Sequence, residues 1–269
     1  MLIESFLDYL RLERNYSERT IVSYQTDLRE FEGFLKKTES ELDWKKVHAD
    51  HVRNWMVHLM EDGKASTSVN RKLSSLRSFY RFLLRKKEVT VNPMLKVVGP
   101  KKKKPLPFFV REKDMNRLLD EIPFGEGFEG CRDRTILEVF YATGMRLSEL
   151  IGLNDVDVDF SAKLIKVTGK RNKQRLIPFG KELEENLNLY IKVRNEAFPD
   201  GAECFFVLKN GKRMYPVGIY RLVKRNLSKV VSLKKRSPHV LRHTFATAML
   251  NDQAELQSVK ELLGHESLT

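Results

Sequence analysis

Apolar residues in the first hundred positions recur every three or four residues. Ile21, Tyr24, Leu28, Phe31 and Phe34 fall on one side of a helix that Ser17 is placed to cap. Val52, Trp55, Met56 and Leu59 form a second stripe behind Asp50, closed by Gly63. In STSVNRKLSSLRSFYRFLLRKK, Val69, Leu73, Leu76, Tyr80 and Leu83 share one face and leave Arg71, Lys72, Ser75 and Arg77 on another. The pattern breaks after Asn92-Pro93, where VVGPKKKKPLPFF follows. Proline lacks the helical donor and adjacent lysines repel one another, so residues 99–107 read as a linker containing Lys101, Lys102, Lys103 and Lys104.

Beyond the linker the periodicity is mixed. VREKDMNRLLDEI and CRDRTILEVFYATG carry helical spacing, the second stopped at Gly144, and MRLSELIGL resumes at once. Val156, Val158 and Phe160 then alternate with acids, and two further β-rich runs are joined by Gly169-Lys170-Arg171-Asn172, which predicts a small antiparallel sheet. Helical spacing returns at about residues 180–197, 216–230, 238–250 and 255–263, interrupted by FFVLKNGKRMY with its Asn210-Gly211 turn signal. The expected fold is mainly α with a small antiparallel β-sheet, in two domains: a helical one over 1–98 and an α+β one over 108–269.

Charge narrows the function. The 269 residues carry 49 Lys+Arg against 36 Asp+Glu, a net +13. Residues 1–100 hold 18 basic and 14 acidic side chains, leaving 31 and 22 for the rest, so most of the excess lies in the second half. That field suits a polyanion. Acids are absent between Gly63 and Lys87, so one whole helix would present positive charge to a major groove, with Arg71, Lys72 and Arg77 on phosphates and Ser75 near base edges. No run approaches the roughly 20 apolar residues of a membrane span, and the N-terminus MLIESFLDYLRLER includes acids, unlike a signal peptide. A soluble, cytoplasmic protein is expected. Cys131 and Cys204 lack metal-type spacing and read as small apolar residues.

The candidate chemistry is cationic. Arg146 and Glu149 are spaced as an i,i+3 ion pair, and Lys170 falls at the tip of a two-stranded turn. His239 and Arg242 lie one turn apart behind Ser237-Pro238, where unpaired backbone donors favour an anion. His243 follows His239 by four residues, but Val240 stands where a zinc-protease helix carries glutamate, so no metal is expected. A metal nuclease would need clustered acids, and Asp155, Asp157 and Asp159 alternate more like a solvated strand face.

Four blocks in order, ATGMRLSELIGL, VTGKRNKQRLIP, SPHVLRHTFATAML and LLGHESLT, resemble those of tyrosine recombinases, specifically Xer-type site-specific recombinases and related integrases. LSSLRSFYRFL and the linker are similar to their N-terminal SAM-like core-binding domain, so the resemblance spans nearly the whole chain. It implies that Arg146, Lys170, His239, Arg242 and His265 are catalytic, that Glu149 orients Arg146 and that His243 supports the site; Arg171 departs from the family's frequent glycine and is expected to stiffen the lysine turn or add a phosphate contact to DNA. It further implies double-stranded DNA as partner, a homo- or hetero-tetramer on DNA, strand exchange through a 3′-phosphotyrosyl intermediate and a Holliday junction, and no cofactor. The family's nucleophilic tyrosine lies in the helix after the late histidine, beyond Thr269, so the chain is expected to be truncated, monomeric off DNA, and able to bind DNA without cleaving it. Gln253 replaces a frequent family glycine, which assigns the left-handed corner to Asn251 or Asp252.

Overall fold

The helical stripes of the first hundred residues fold as read. In a computed structural model that describes residues 2–38, 43–101, 108–169 and 172–264, α1 spans Leu2–Asp8, α2 Glu18–Thr38, α3 Ala49–Glu61 and α4 Ser66–Arg85. Val69, Leu73, Leu76, Tyr80 and Leu83 of α4 are fully buried against Phe6, Leu28, Phe31 and Trp55. His48, not Asp50, precedes α3 as its cap, and its N–H donates to His51 Nδ1 at 2.9 Å. After α4 a short turn over Pro93–Lys96 is held to the helices, because Arg53 and Arg77 donate to the Lys96 and Val97 carbonyls. The Pro100 carbonyl takes an N–H from Asn70, whose side chain comes so close that a Cβ on Gly99 would stand 2.2 Å from its Oδ1. A larger residue there would displace the Asn70 amide from the Pro100 carbonyl, and residues 99–100 pack on the helical body.

The chain divides into two compact units, Met1–Pro105 and Leu106–Thr269. In the second, α5 (Glu112–Asn116) leads through a wider turn to α6 (Gly127–Thr143), and α7 (Leu147–Gly152) follows. Three short strands, β1 (Val158–Asp159), β2 (Leu164–Thr168) and β3 (Gln174–Pro178), pair antiparallel in that order. Ile165 stands opposite Ile177, which turns both into the core. Helices α8 (Lys181–Ala197), α9 (Pro216–Leu227), α10 (Pro238–Asn251) and α11 (Leu256–Leu263) follow. Helix α6 packs against both α8 and α10, so Ile136, Leu137, Val139 and Phe140 are buried.

Three local expectations need correction. The Val156 stretch is a turn, because the Asp157 carboxylate accepts the Asn154 N–H at 3.0 Å and bends the chain before β1; Val156 is exposed. The Asn210-Gly211 turn closes a single bridge between Val207 and Arg213 instead of a hairpin of strands. At the corner between α10 and α11, Gln253 itself takes the left-handed conformation, with φ +62°. Among the described residues, no helix is long and apolar enough to cross a membrane.

Candidate phosphate-binding site

The site forms where α6 stops. Gly144 ends α6 at φ +58°, and a Cβ there would stand 2.4 Å from the Phe245 ring of α10, so no other residue fits. The chain reverses into Arg146, which precedes α7, while Glu149 at the third helical position takes the Arg146 N–H on Oε2 at 2.7 Å. The same carboxylate receives Arg146 Nη1 at 2.8 Å. The pair read from sequence spacing is thus a reciprocal helix start.

Glu149 has a second, stronger partner. Arg175 of β3 donates both terminal nitrogens to it, Nη1 to Oε1 at 2.8 Å and Nη2 to Oε2 at 2.9 Å. Burial would raise the Glu149 carboxyl, but the hydrogen bonds from Arg175 and then Arg146 outweigh it and hold the group at about 2. Sequence reasoning missed Arg175. Strand alternation carried the signal, since Arg175 shares the inward face of β3 with Ile177 and a charge on that face calls for a partner.

The last carbonyls of α11, which no helical N–H can reach, are taken by three guanidiniums in turn. Arg175 Nε donates to Leu262 at 2.6 Å, Arg242 Nη2 to Leu263 at 2.5 Å and Arg146 Nη2 to Gly264 at 2.8 Å. Arg242 Nη1 also holds the Gly144 carbonyl at 2.6 Å. Arg242 is buried, and burial together with Arg146 lowers it to about 10, which leaves it charged at neutral pH. Arg146, Arg175 and Arg242 therefore meet at one turn around one carboxylate.

His239 is exposed at the start of α10, with its ring centroid 4.5 Å from that of the half-buried His243. Partial desolvation of its ring first, and then His243 and Arg242, push His239 down; burial and Arg242 do the same to His243. Both imidazoles are consequently neutral at neutral pH and can accept a proton. Lys170, Arg171 and His265 lie outside the described residues, as do Lys102, Lys103 and Lys104, while Lys101 is exposed. Gly169, next to Lys170 in sequence, would place a Cβ 3.4 Å from Glu149 Oε1 and 3.9 Å from Arg146 Nη1, so the end of β2 abuts the site. The alternating acids do not form a cluster: Asp155 pairs with the buried Arg194, Asp157 with the Asn154 turn and Asp159 with the Ser161 turn.

The groove face expected on α4 is corrected. Lys72 and Ser75 are buried and bonded to the fully buried Asp27 of α2, with Lys72 also on Glu30. Arg71 stays half exposed while donating to Ser23 and Asp27, and Arg77 is tied to the Val97 carbonyl. A buried carboxylate recruits these donors because its charge needs partners. The other exposed polar side chains of α4 are Thr67, Ser74, Arg81 and Arg85. Ser74, Arg81 and Arg85 line a cavity of about 510 Å³ with Arg14, Tyr16 and Tyr24.

Three guanidiniums gathered at a helix end, beside a three-stranded antiparallel sheet, make a cationic site suited to an anion. Residues 109–269 match the phage integrase family and residues 3–87 match the phage integrase N-terminal SAM-like domain; the chain belongs to this family. Among its relatives, the tyrosine recombinase XerC of Chlorobaculum parvum is 39% identical over 99% of this chain and 87% of the relative. That of Pediococcus pentosaceus is 40% identical over 100% of this chain and 90% of the relative. The fold is shared with the Tn1549 transposon integrase in complex with a circular intermediate DNA, at 22% identity and TM-score 0.77, covering 99% of this chain and 92% of that one. It is also shared with the XerH recombinase bound to its difH substrate, at 20% identity and TM-score 0.75, covering 99% and 78%.

Proposed function

We propose that the chain is a site-specific DNA recombinase of the Xer type, in which Arg146 and Arg242 clamp the scissile phosphate of a duplex. The observation that carries this is the meeting of both guanidiniums on adjacent carbonyls at the end of α11, Gly264 and Leu263. When a hydroxyl attacks phosphorus in line, negative charge grows on the non-bridging oxygens, and guanidiniums fixed beforehand meet it without reorganising. A donor so placed lowers such a barrier by about 3–4 kcal/mol. His239, neutral and exposed, takes the proton of the attacking hydroxyl. By family resemblance, a tyrosine is the nucleophile, Lys170 protonates the departing 5′ oxygen and His265 adds a donor to the phosphate. The 3′-phosphotyrosyl bond stores the energy for rejoining, so strand exchange needs no external energy source. Four protomers on two duplexes complete the exchange. The exposed α4 residues Ser74, Arg81 and Arg85 replace Lys72 and Ser75 as candidates for DNA contact.

The 269 residues hold no tyrosine after Tyr220, and the Tyr190 hydroxyl is buried on the Phe205 carbonyl. By family resemblance none of Tyr141, Tyr190, Tyr215 and Tyr220 is the nucleophile, so a polypeptide of these residues is expected to bind duplex DNA and to form no covalent adduct. Joining it to a C-terminal helix that carries the family's tyrosine, on a nicked duplex selected for binding, should yield a covalent band on a denaturing gel. Arg146→Ala and Arg242→Ala should each abolish that band while retaining most of the duplex affinity. A band undiminished in both variants refutes the clamp, and one formed by the unextended polypeptide refutes its inactivity.

A further inference from the structure

The second unit sets one buried carboxylate against two guanidiniums. Glu149 Oε1 receives Arg146 Nη1 and Arg175 Nη1, both at 2.8 Å, and Oε2 receives Arg175 Nη2 and the Arg146 backbone N–H. The three side chains differ in access to solvent. Glu149 is 1% exposed, Arg175 14% and Arg146 28%. The cation that an incoming ligand reaches first is therefore Arg146, with Arg175 behind it.

We infer that Arg175 is a positioning residue: its bidentate grip neutralises Glu149 and thereby leaves the charge of Arg146 available to a bound phosphodiester. The inference rests on the phosphate-binding role proposed for Arg146. Without Arg175, the carboxylate would keep Arg146 as its nearest cation, and that pair would present no net charge. Arg242 would then be the remaining cation among the described residues of the cluster, and it is itself buried and committed to the Gly144 and Leu263 carbonyls. With Arg175 present the cluster is three cations to one anion, and Arg175 meets both carboxylate oxygens. Its remaining Nε bond to the Leu262 carbonyl offers a competing account, in which Arg175 merely tethers α11. The two accounts differ in what happens when the carboxylate charge is removed as well.

Sulfate serves as the probe, because it is a tetrahedral dianion throughout the neutral range. It would be titrated calorimetrically into the 269-residue chain at fixed ionic strength, with Arg146→Ala marking the share of binding that belongs to this site. Arg175→Met is expected to weaken that share about tenfold, the effect of one uncompensated charge at close range. Arg175→Met combined with Glu149→Gln is expected to restore it, since the charge to be neutralised is gone. Arg175→Lys, which keeps the charge and covers the case in which Arg175→Met fails to fold, is expected to retain most of it. Unchanged binding in Arg175→Met, a loss that Glu149→Gln leaves unrestored, or an equal loss in Arg175→Lys overturns the inference alone. Equal sulfate binding by wild type and Arg146→Ala overturns it together with the phosphate role of Arg146.

Discussion

Replacing Glu149 by glutamine tests the centre of the site through acid stability. In the folded chain the carboxyl is held at about 2, against 4.5 for the free side chain, because four N–H groups from Arg146 and Arg175 favour its charged form. A depressed carboxyl contributes stability that is complete above its unfolded value and is lost as pH falls from 4.5 toward 2. The difference corresponds to about 3 kcal/mol, and the side chain is buried enough for solvent to screen little of it. Glu149→Gln keeps the shape but has no proton to gain. Its second unit should be less stable than wild type at neutral pH and should lack this part of the acid dependence. Both tryptophans, Trp44 and Trp55, lie in the first unit, so their fluorescence supplies an internal reference while amide exchange around Arg146–Leu153 reports the second. If the wild type and Glu149→Gln lose stability equally between pH 4.5 and 2 in that exchange, the carboxylate is not held as described.

Three further outcomes follow from particular contacts. Asp27→Ala removes the buried carboxylate shared by Arg71, Lys72 and Ser75, leaving Lys72 only Glu30, and should cost the first unit about 3 kcal/mol in urea unfolding followed by tryptophan fluorescence. A loss under about 1 kcal/mol would mark the cluster as no stronger than a surface pair. Gln253→Gly should raise the stability of the second unit by about 1 kcal/mol in thermal melts, because glycine takes the left-handed corner without steric cost; Gln253→Ala should bring no such gain. The lowered His239 and His243 favour the neutral imidazoles in the folded chain, so stability should rise with pH in the window just below 6.5 and flatten above it. Substituting both by glutamine should flatten that rise, and an unchanged slope would assign it to other groups.

How far the site is legible in the sequence depends on how far along the chain each partner lies. The apolar stripe of α4 is legible because burial imposes a 3.6-residue period that any local window shows. Its polar face misleads in the same window. No acid lies within that helix, yet Asp27 on α2 neutralises it from a different part of the chain, and lack of local acids says nothing about tertiary partners. The Arg146–Glu149 pair is visible because its spacing is three residues. What organises that pair is not visible, since the other participants are Arg175, 26 residues from Glu149, and backbone carbonyls, which every residue carries and no residue type advertises. Alternating acids mislead for a related reason: Asp157 acts through the Asn154 N–H, and a single side-chain bond to the backbone is enough to convert a strand-like pattern into a turn. Arginine explains why the two halves of the problem differ. Five donors on a rigid plane let one side chain satisfy a carboxylate and a helix end together, so Arg146 and Arg175 each join elements that local periodicity treats as independent. Charge on an inward strand face is the one trace such a residue leaves in sequence. Arg175 beside Ile177 leaves that trace, and following it leads to the buried carboxylate on which the availability of Arg146 depends.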